Sequence, residues 1–282
     1  MLTCHLQGGL GNQLFQIFTT IAYALKHKKA FAFSNKYQLD TKRTTYWHSF
    51  LAALAKFTKN ITVSAACYTT LRETAFAHNE LPPRTEENIL LQGYFQSYKY
   101  FADYKEHIMR FIRITEQKKL LQQKLNLEQR YNLAYAQTVS LHLRRGDYRQ
   151  LQECHPLLTE EYYQSALKHI LSTATTLPVK TVLMFCEKQD YADAVSLLEK
   201  MKIQHAQLNF SIIDFSLSDW EQLLIMSLCQ HNIIANSSYS WWGAYFNERP
   251  TKIVCYPATW FGPKLKHYDT RDLCPINWVK IS

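Results

Sequence analysis

The stretch Val139-Ser140-Leu141-His142-Leu143-Arg144-Arg145-Gly146-Asp147-Tyr148 decides how the chain is read. Period-two alternation puts Val139, Leu141 and Leu143 on one face of a strand and carries His142 and Arg144 on the other. A histidine and a guanidinium therefore leave a strand end side by side, where Gly146 opens a turn that lets backbone approach a ligand. Outward from this strand, over 139–143, the pattern predicts helix 160–172, strand 179–186, helix 191–201, strand 210–213, helix 220–230, strand 233–235, helix 241–246 and strand 253–256. Strands alternating with helices of this length imply a parallel sheet covered on both faces.

Toward the amino terminus, Leu2, Cys4 and Leu6 alternate, Gly8-Gly9-Leu10-Gly11 turns, and Leu14, Ile17, Phe18, Ile21 and Leu25 follow at helical spacing. This is the first half of a second βαβ unit. Between 35 and 135 the pattern is less regular: a helix over 49–58, a break at Pro82-Pro83, a strand over 89–91 and a helical run over 98–130. The expected fold is α/β, two Rossmann-like domains facing a central cleft, divided into 1–135 and 136–282. Ligands of such sheets bind beyond the carboxyl ends of the strands, so residues just after strands are the candidates for chemistry.

Composition bounds the alternatives. A chain of 282 residues that is 47% hydrophobic can bury a sizeable core. The lack of a long apolar run or a secretory leader predicts a cytoplasmic protein, and seven cysteines without paired spacing suit a reducing compartment. The formal charge of +9 would attract nucleic acid, an anionic membrane surface or nucleotide phosphates. No nucleic-acid module is recognisable, and the 18 tyrosines and 15 phenylalanines are spread through core-like segments, so no nucleic-acid partner is expected. Peripheral contact with an anionic inner membrane face remains an expectation.

Two adjacent arginines at a sheet edge call for an anion, and a diphosphate is the natural bidentate partner of Arg144, with Arg145 beside it. The alternative is that Asp147 pairs with an arginine and fixes the loop. Asn236-Ser237-Ser238-Tyr239-Ser240 opens a helix after a strand, where hydroxyls and free N–H groups form an anion site; one serine is accounted for as a helix cap. Trp241 and Trp242 suit helix packing better than sugar stacking. Ser218-x-x-Glu221 is a capping box, which gives Glu221 a structural role. In the first turn, Gly9 and Gly11 match two of the three dinucleotide glycines, but Leu14 stands where the third is needed, so a nicotinamide or flavin site is weakly supported. The turn still offers donors from backbone, Asn12 and Gln13.

Together, residues 7–16 (QGGLGNQLFQ), 142–148 (HLRRGDY) and 236–245 (NSSYSWWGAY) resemble the bacterial α-1,2-fucosyltransferases of glycosyltransferase family 11. The resemblance implies a GT-B architecture, an acceptor-side domain followed by a GDP-fucose-binding domain, GDP-β-L-fucose as donor, inversion, no metal, and a galactose-terminated glycan of an oligosaccharide or lipopolysaccharide as acceptor. It also implies that Arg144 holds the diphosphate, His142 lies near the nucleoside, Ser237 and Ser238 contact phosphates, and Asn12 faces the reaction centre. Relatives place an aspartate at the position of Gln222; we expect the Gln222 carbonyl to replace it toward guanine. Asp147, Glu153 and His155 are candidate bases, with Asp147 the one chosen. A chain without an Asp-x-Asp pair or paired Cys/His spacing gives no metal signal. The rival is a non-catalytic nucleotide- or glycan-binding protein.

Overall fold

The computed structural model describes residues 1–61, 67–130, 134–174 and 177–282. They form two compact units, Met1–Gln117 with Tyr268–Pro275 and Lys118–His267 with Ile276–Ser282.

In the first unit, β1 (Leu2–Cys4) runs into α1 (Leu10–Lys26), whose apolar side chains Leu14, Phe15, Ile17, Phe18 and Ile21 are fully buried. The short strands β2 (Phe33–Ser34) and β3 (Thr58–Lys59) pair with each other in parallel. β4 (Thr69–Arg72) and β5 (Ile89–Gln92) join β1 in a three-stranded parallel sheet of order β1-β5-β4. The helix expected over 49–58 is instead a 3-10 turn, Ala52–Phe57. The single helical run expected over 98–130 is broken into 3-10 turns and three helices, α2 (Lys105–Phe111), α3 (Ile114–Leu125) and α4 (Leu127–Arg130). Arg113 (φ 54°) and Asn126 (φ 42°) occupy the left-handed region between them, which no right-handed helix of L-residues traverses. The Gln117 amide donates to the orphan carbonyl of Ile112 and secures the first break.

The compact units divide at 117/118, not at the expected 135/136. The buried Lys118 ammonium donates to the Phe246 carbonyl and pairs with Glu248 at 3.1 Å, which ties α3 into the second unit. The chain also returns near its end to the first unit: Ser97 Oγ donates to the Asp272 carbonyl (2.6 Å), and the Asp272 carboxylate accepts from Lys99 and from the His78 N–H (3.2 Å).

The second unit is a six-stranded parallel sheet of order β11-β10-β9-β6-β7-β8, built from β6 (Thr138–His142), β7 (Thr181–Phe185), β8 (Asn209–Ile212), β9 (His231–Ile233), β10 (Val254–Pro257) and β11 (Val279–Ile281). The helices α5 (Glu160–Thr173), α6 (Tyr191–Gln204), α7 (Asp219–Leu228) and α8 (Ser238–Tyr245) connect the strands. Every residue of β6 and β7 is buried, as expected for central strands covered on both faces. From β6 the chain builds outward through β7 to β8, then crosses back and builds through β9 to β11. The strand order therefore reverses between β6 and β9, the place where such sheets bind ligands.

Most thiols sit as expected: Cys4, Cys186, Cys229, Cys255 and Cys274 are buried and free, whereas Cys67 is exposed and Cys154 half-buried. Among the described residues, no helix is long and apolar enough to cross a membrane.

Candidate functional site

The segments that leave β6 and β9 meet at the reversal point. His142, the last residue of β6, is buried, its Nδ1 has no partner, and its ring lies 5.4 Å from that of Tyr239 on α8. Burial, reinforced by the neighbouring Arg144 guanidinium, pushes its pKa down to about 3, so the imidazole is neutral. Arg144 is held by two carboxylates, Asp147 three residues on and Glu187, and its guanidinium lies 4.9 Å over the Tyr148 ring. The loop-fixing role weighed for Asp147 is thus realised in this structure. Arg145 differs: it has no carboxylate partner among the described residues, and its Nε is buried without a hydrogen bond. A half-buried, uncompensated guanidinium at a sheet's carboxyl edge is the arrangement that favours an anionic ligand.

The loop beyond Arg145 is fastened from below. Gly146 (φ 37°) donates its N–H to the buried Asp190 carboxylate at 2.8 Å, and a Cβ there would stand 2.6 Å from Glu187 Oε2. Arg149 pairs with Asp190 and Asp193. Tyr148 stacks on His155 with centroids 4.7 Å apart and donates its hydroxyl to the Asn236 carbonyl at 3.1 Å, which links the β6 and β9 loops. Burial lowers the His155 pKa, and its Nδ1 has no partner.

In the second segment the structure narrows what was expected. Ser237 is the N-cap of α8 and accepts from Tyr239 N at 3.3 Å, and Ser240 Oγ accepts from Ala235 N at 3.2 Å. The Asn236 amide donates to the carbonyls of Pro156 (3.0 Å) and Trp260 (3.2 Å), so its side chain ties three loops together. Its Oδ1 is buried without a hydrogen-bond partner. Ser238 stands half-buried at the first position of α8, which follows β9 at the reversal point. Trp241 and Trp242 are fully buried in helix packing.

Glu221 completes the capping box with Ser218 and also pairs with Lys124 at 3.3 Å. Gln222 donates its amide to the Leu217 carbonyl at 2.9 Å.

At the carboxyl edge of the first unit's sheet, Gly9 is the N-cap of α1, and a Cβ on it would meet nothing within 4 Å. Gly11 is buried in the first helical turn. Asn12 Oδ1 accepts from Gln96 Nε2 at 2.9 Å. Gln13, expected to offer amide donors, has its Nε2 engaged by the carbonyls of Gly8 (3.0 Å) and Thr44 (2.9 Å) and is buried. Its Oε1 is buried without a hydrogen-bond partner.

Glu187 and Asp190 escaped the sequence reading although they lie just beyond β7, where its own rule says to look. Gln96 escaped it because its segment lacks a periodic pattern. Among the described residues no three His, Cys, Asp or Glu side chains gather as metal ligands.

The chain matches the model of glycosyl transferase family 11 over residues 1–282. It is 27% identical to the O-antigen biosynthesis glycosyltransferase WbnK of Escherichia coli, over all of both chains. It is 24% identical to an alpha-1,2-colitosyltransferase of Escherichia coli, over all of this chain and 99% of the other. Among solved structures it is similar to an Arabidopsis thaliana FUT1 mutant in complex with GDP (10% identity, TM-score 0.49, 97% of this chain and 74% of that one). A second is POFUT1 in complex with GDP-fucose (14% identity, TM-score 0.45, 90% of this chain and 97% of that one). With the motif-bearing loops of β6 and β9 brought together at the reversal point and the family matched from the first residue to the last, the chain belongs to glycosyl transferase family 11.

Proposed function

We propose that this glycosyltransferase moves L-fucose from GDP-β-L-fucose to the 2-hydroxyl of a terminal β-galactose of an oligosaccharide or lipopolysaccharide, in a GT-B arrangement, with inversion and without a metal. The observation that carries the reading is the reversal point itself: Arg144, the uncompensated Arg145 and the N-terminus of α8 converge there.

As the sugar departs, negative charge grows on the diphosphate. Fixed guanidinium and helix N–H donors stabilise that charge without reorganising, and a single such donor typically contributes about 3 kcal/mol. Arg145 meets the phosphates directly; Arg144 joins once Glu187 releases it. Ser238 and the first amides of α8 complete the cradle. Neutral His142 presents ring nitrogens to the nucleoside, and the Gln222 carbonyl accepts from the guanine edge. Asp147 is ion-paired with Arg144, so we assign it to orienting that guanidinium and not to the base role first chosen for it. His155, neutral and with an unpartnered Nδ1 beside Tyr148, is better suited to receive the acceptor proton.

Colitosyl transfer is the second reading, favoured by the name of the second relative. The test is calorimetric titration with GDP, ADP and UDP, followed by product analysis with lactose and either GDP-fucose or the colitose donor. Selective GDP binding and a fucosylated product support the proposal. A product only with colitose transfers it to the second reading, and no GDP binding overturns both.

A further inference from the structure

The carboxyl-terminal half of α1 bounds a cavity of about 190 Å³ whose lining residues all lie in the first unit. Its other walls are the loop carrying His78, Glu80 and Leu81 and the 3-10 turns Tyr98–Tyr100 and Ala102–Tyr104. Thr19 is the lining residue nearest the glycine turn, and it stands about 10 Å along the helix axis from Asn12. The walls are fastened. The Tyr23 hydroxyl donates to the Pro82 carbonyl at 2.9 Å, and the Asp272 carboxylate takes both the His78 N–H and the Lys99 ammonium. Tyr23 packs on His27 with ring centroids 4.3 Å apart and Tyr100 on His78 at 4.6 Å, and Tyr104 adds a further ring to the lining. Two polar atoms of the lining residues are buried without a hydrogen bond, Thr19 Oγ1 and His27 Nε2. The next residue, Thr20, returns its hydroxyl to the Gln16 carbonyl at 2.7 Å, the ordinary way for a helical threonine to be satisfied, and Thr19 does not.

We propose that this cavity is a carbohydrate site that takes one neutral sugar ring. A cavity of about 150 Å³ holds a benzene ring, so about 190 Å³ with exposed side chains at its rim admits one six-membered ring and its hydroxyls. The charges of the lining balance, Lys26 and Lys99 against Glu80 and Asp103, and both ammoniums are already paired, Lys26 with Glu80 at 2.7 Å and Lys99 with Asp272. An anion therefore finds no free cation here, the opposite of the arginine-lined edge in the second unit. Burial holds the pKa of His27 and of His78 below the ordinary value, so both rings are neutral at pH 7. Neutral imidazoles, phenols and the Thr19 hydroxyl both donate and accept, and the exposed carboxylates of Glu80 and Asp103 accept, which is the pattern that sugar hydroxyls match. The ring faces suit the C–H face of the same sugar. Binding here needs neither nucleotide nor turnover, so the site goes beyond the transfer reaction proposed above and stands or falls without it.

The experiment is NMR of the full chain labelled with 15N-histidine, without GDP, titrated with methyl β-D-galactopyranoside, methyl β-D-glucopyranoside and inorganic phosphate. The imidazole signals of His27 and His78 are identified from His27→Gln and His78→Gln. Both signals should shift and saturate in the millimolar range with at least one of the two sugars and stay still with phosphate. Asp103→Ala removes an exposed carboxylate and Tyr104→Ala a half-buried ring, and each should weaken the sugar by about fivefold or more. A melting curve shows whether Tyr104→Ala is folded; Asp103→Ala, at an exposed position, carries the test if it is not. No shift with either sugar, equal shifts with phosphate, or an unchanged affinity in the folded variants overturns the proposal. Shifts confined to His142 and His155 would put the sugar in the second unit alone and overturn it as well.

Discussion

The guanidinium of Arg144, just beyond β6, is bound by the carboxylate of Glu187, just beyond the neighbouring strand β7. Together with Asp147 this gives one arginine two acids, whereas Arg145 beside it has none among the described residues. If Arg144 holds the diphosphate as proposed, Glu187 competes with the donor for its guanidinium. Glu187→Gln should then tighten GDP binding about 3- to 10-fold, because each factor of ten corresponds to roughly 1.4 kcal/mol and one charge-assisted contact is of that size. Calorimetric titration of the variant checks this; weaker GDP binding would identify Glu187 as a support that holds Arg144 in place.

Removal of the arginines themselves should separate their roles. Arg144→Ala and Arg145→Ala should each lower kcat/KM about 100-fold or more, the range seen when one preorganised donor to a developing anion is lost. Because Arg144 also organises Asp147, Glu187 and Tyr148, its loss should in addition lower thermal stability, and loss of Arg145 should not. Kinetics and a melting curve on both variants test the pair; normal turnover in either removes that residue from the phosphate site.

How much of this was legible beforehand follows from the physics of each segment. The second unit was readable almost strand by strand, because residues such as Val139, Leu141, Val182 and Met184 lie in central strands whose burial imposes a strong pattern. Its helix starts were equally plain, since Ser218 and Glu221 form a capping box from local chemistry alone. The first unit resisted because its strands are two to four residues long and its turns depend on left-handed residues such as Phe95 and Arg113, which no composition signal marks. For the site, identity of residue was legible and engagement was not. Asn236 and Gln13 were expected as ligand groups because they are polar and lie at strand ends; in the fold their amide N–H groups go to carbonyls brought from as far along the chain as Pro156 and Thr44, which no local pattern marks.

Metal dependence offers a further test. If guanidinium and helix N–H groups carry the phosphate charge, excess EDTA should leave the initial rate within experimental error. A rate lost to EDTA and restored by magnesium or manganese would assign the charge to a cation and overturn the metal-free proposal.

Stability should depend on pH through His142. Its pKa in the fold is about 3, against an ordinary value of 6.5, because burial and Arg144 disfavour the imidazolium. The unfolded chain therefore binds a proton that the folded chain refuses, and stability must fall as pH drops from about 6.5 toward about 3, while above that window the contribution is fully present. His231, with its pKa pushed to about 4 by burial and then by Arg249, acts in the same direction, so the slope of the parent alone does not isolate His142. Among the described residues the charge set against the His142 ring is that of Arg144; the Tyr239 ring lies beside it, and the Tyr163 hydroxyl donates to the His142 carbonyl. His142→Asn should accordingly flatten part of the decline in melting temperature between pH 7 and pH 4 and leave the remainder, to which His231 and His155, also lowered by burial, contribute. An unchanged slope would mean that His142 takes up its proton in the fold, and the neutral imidazole assigned to the nucleoside would have to be abandoned.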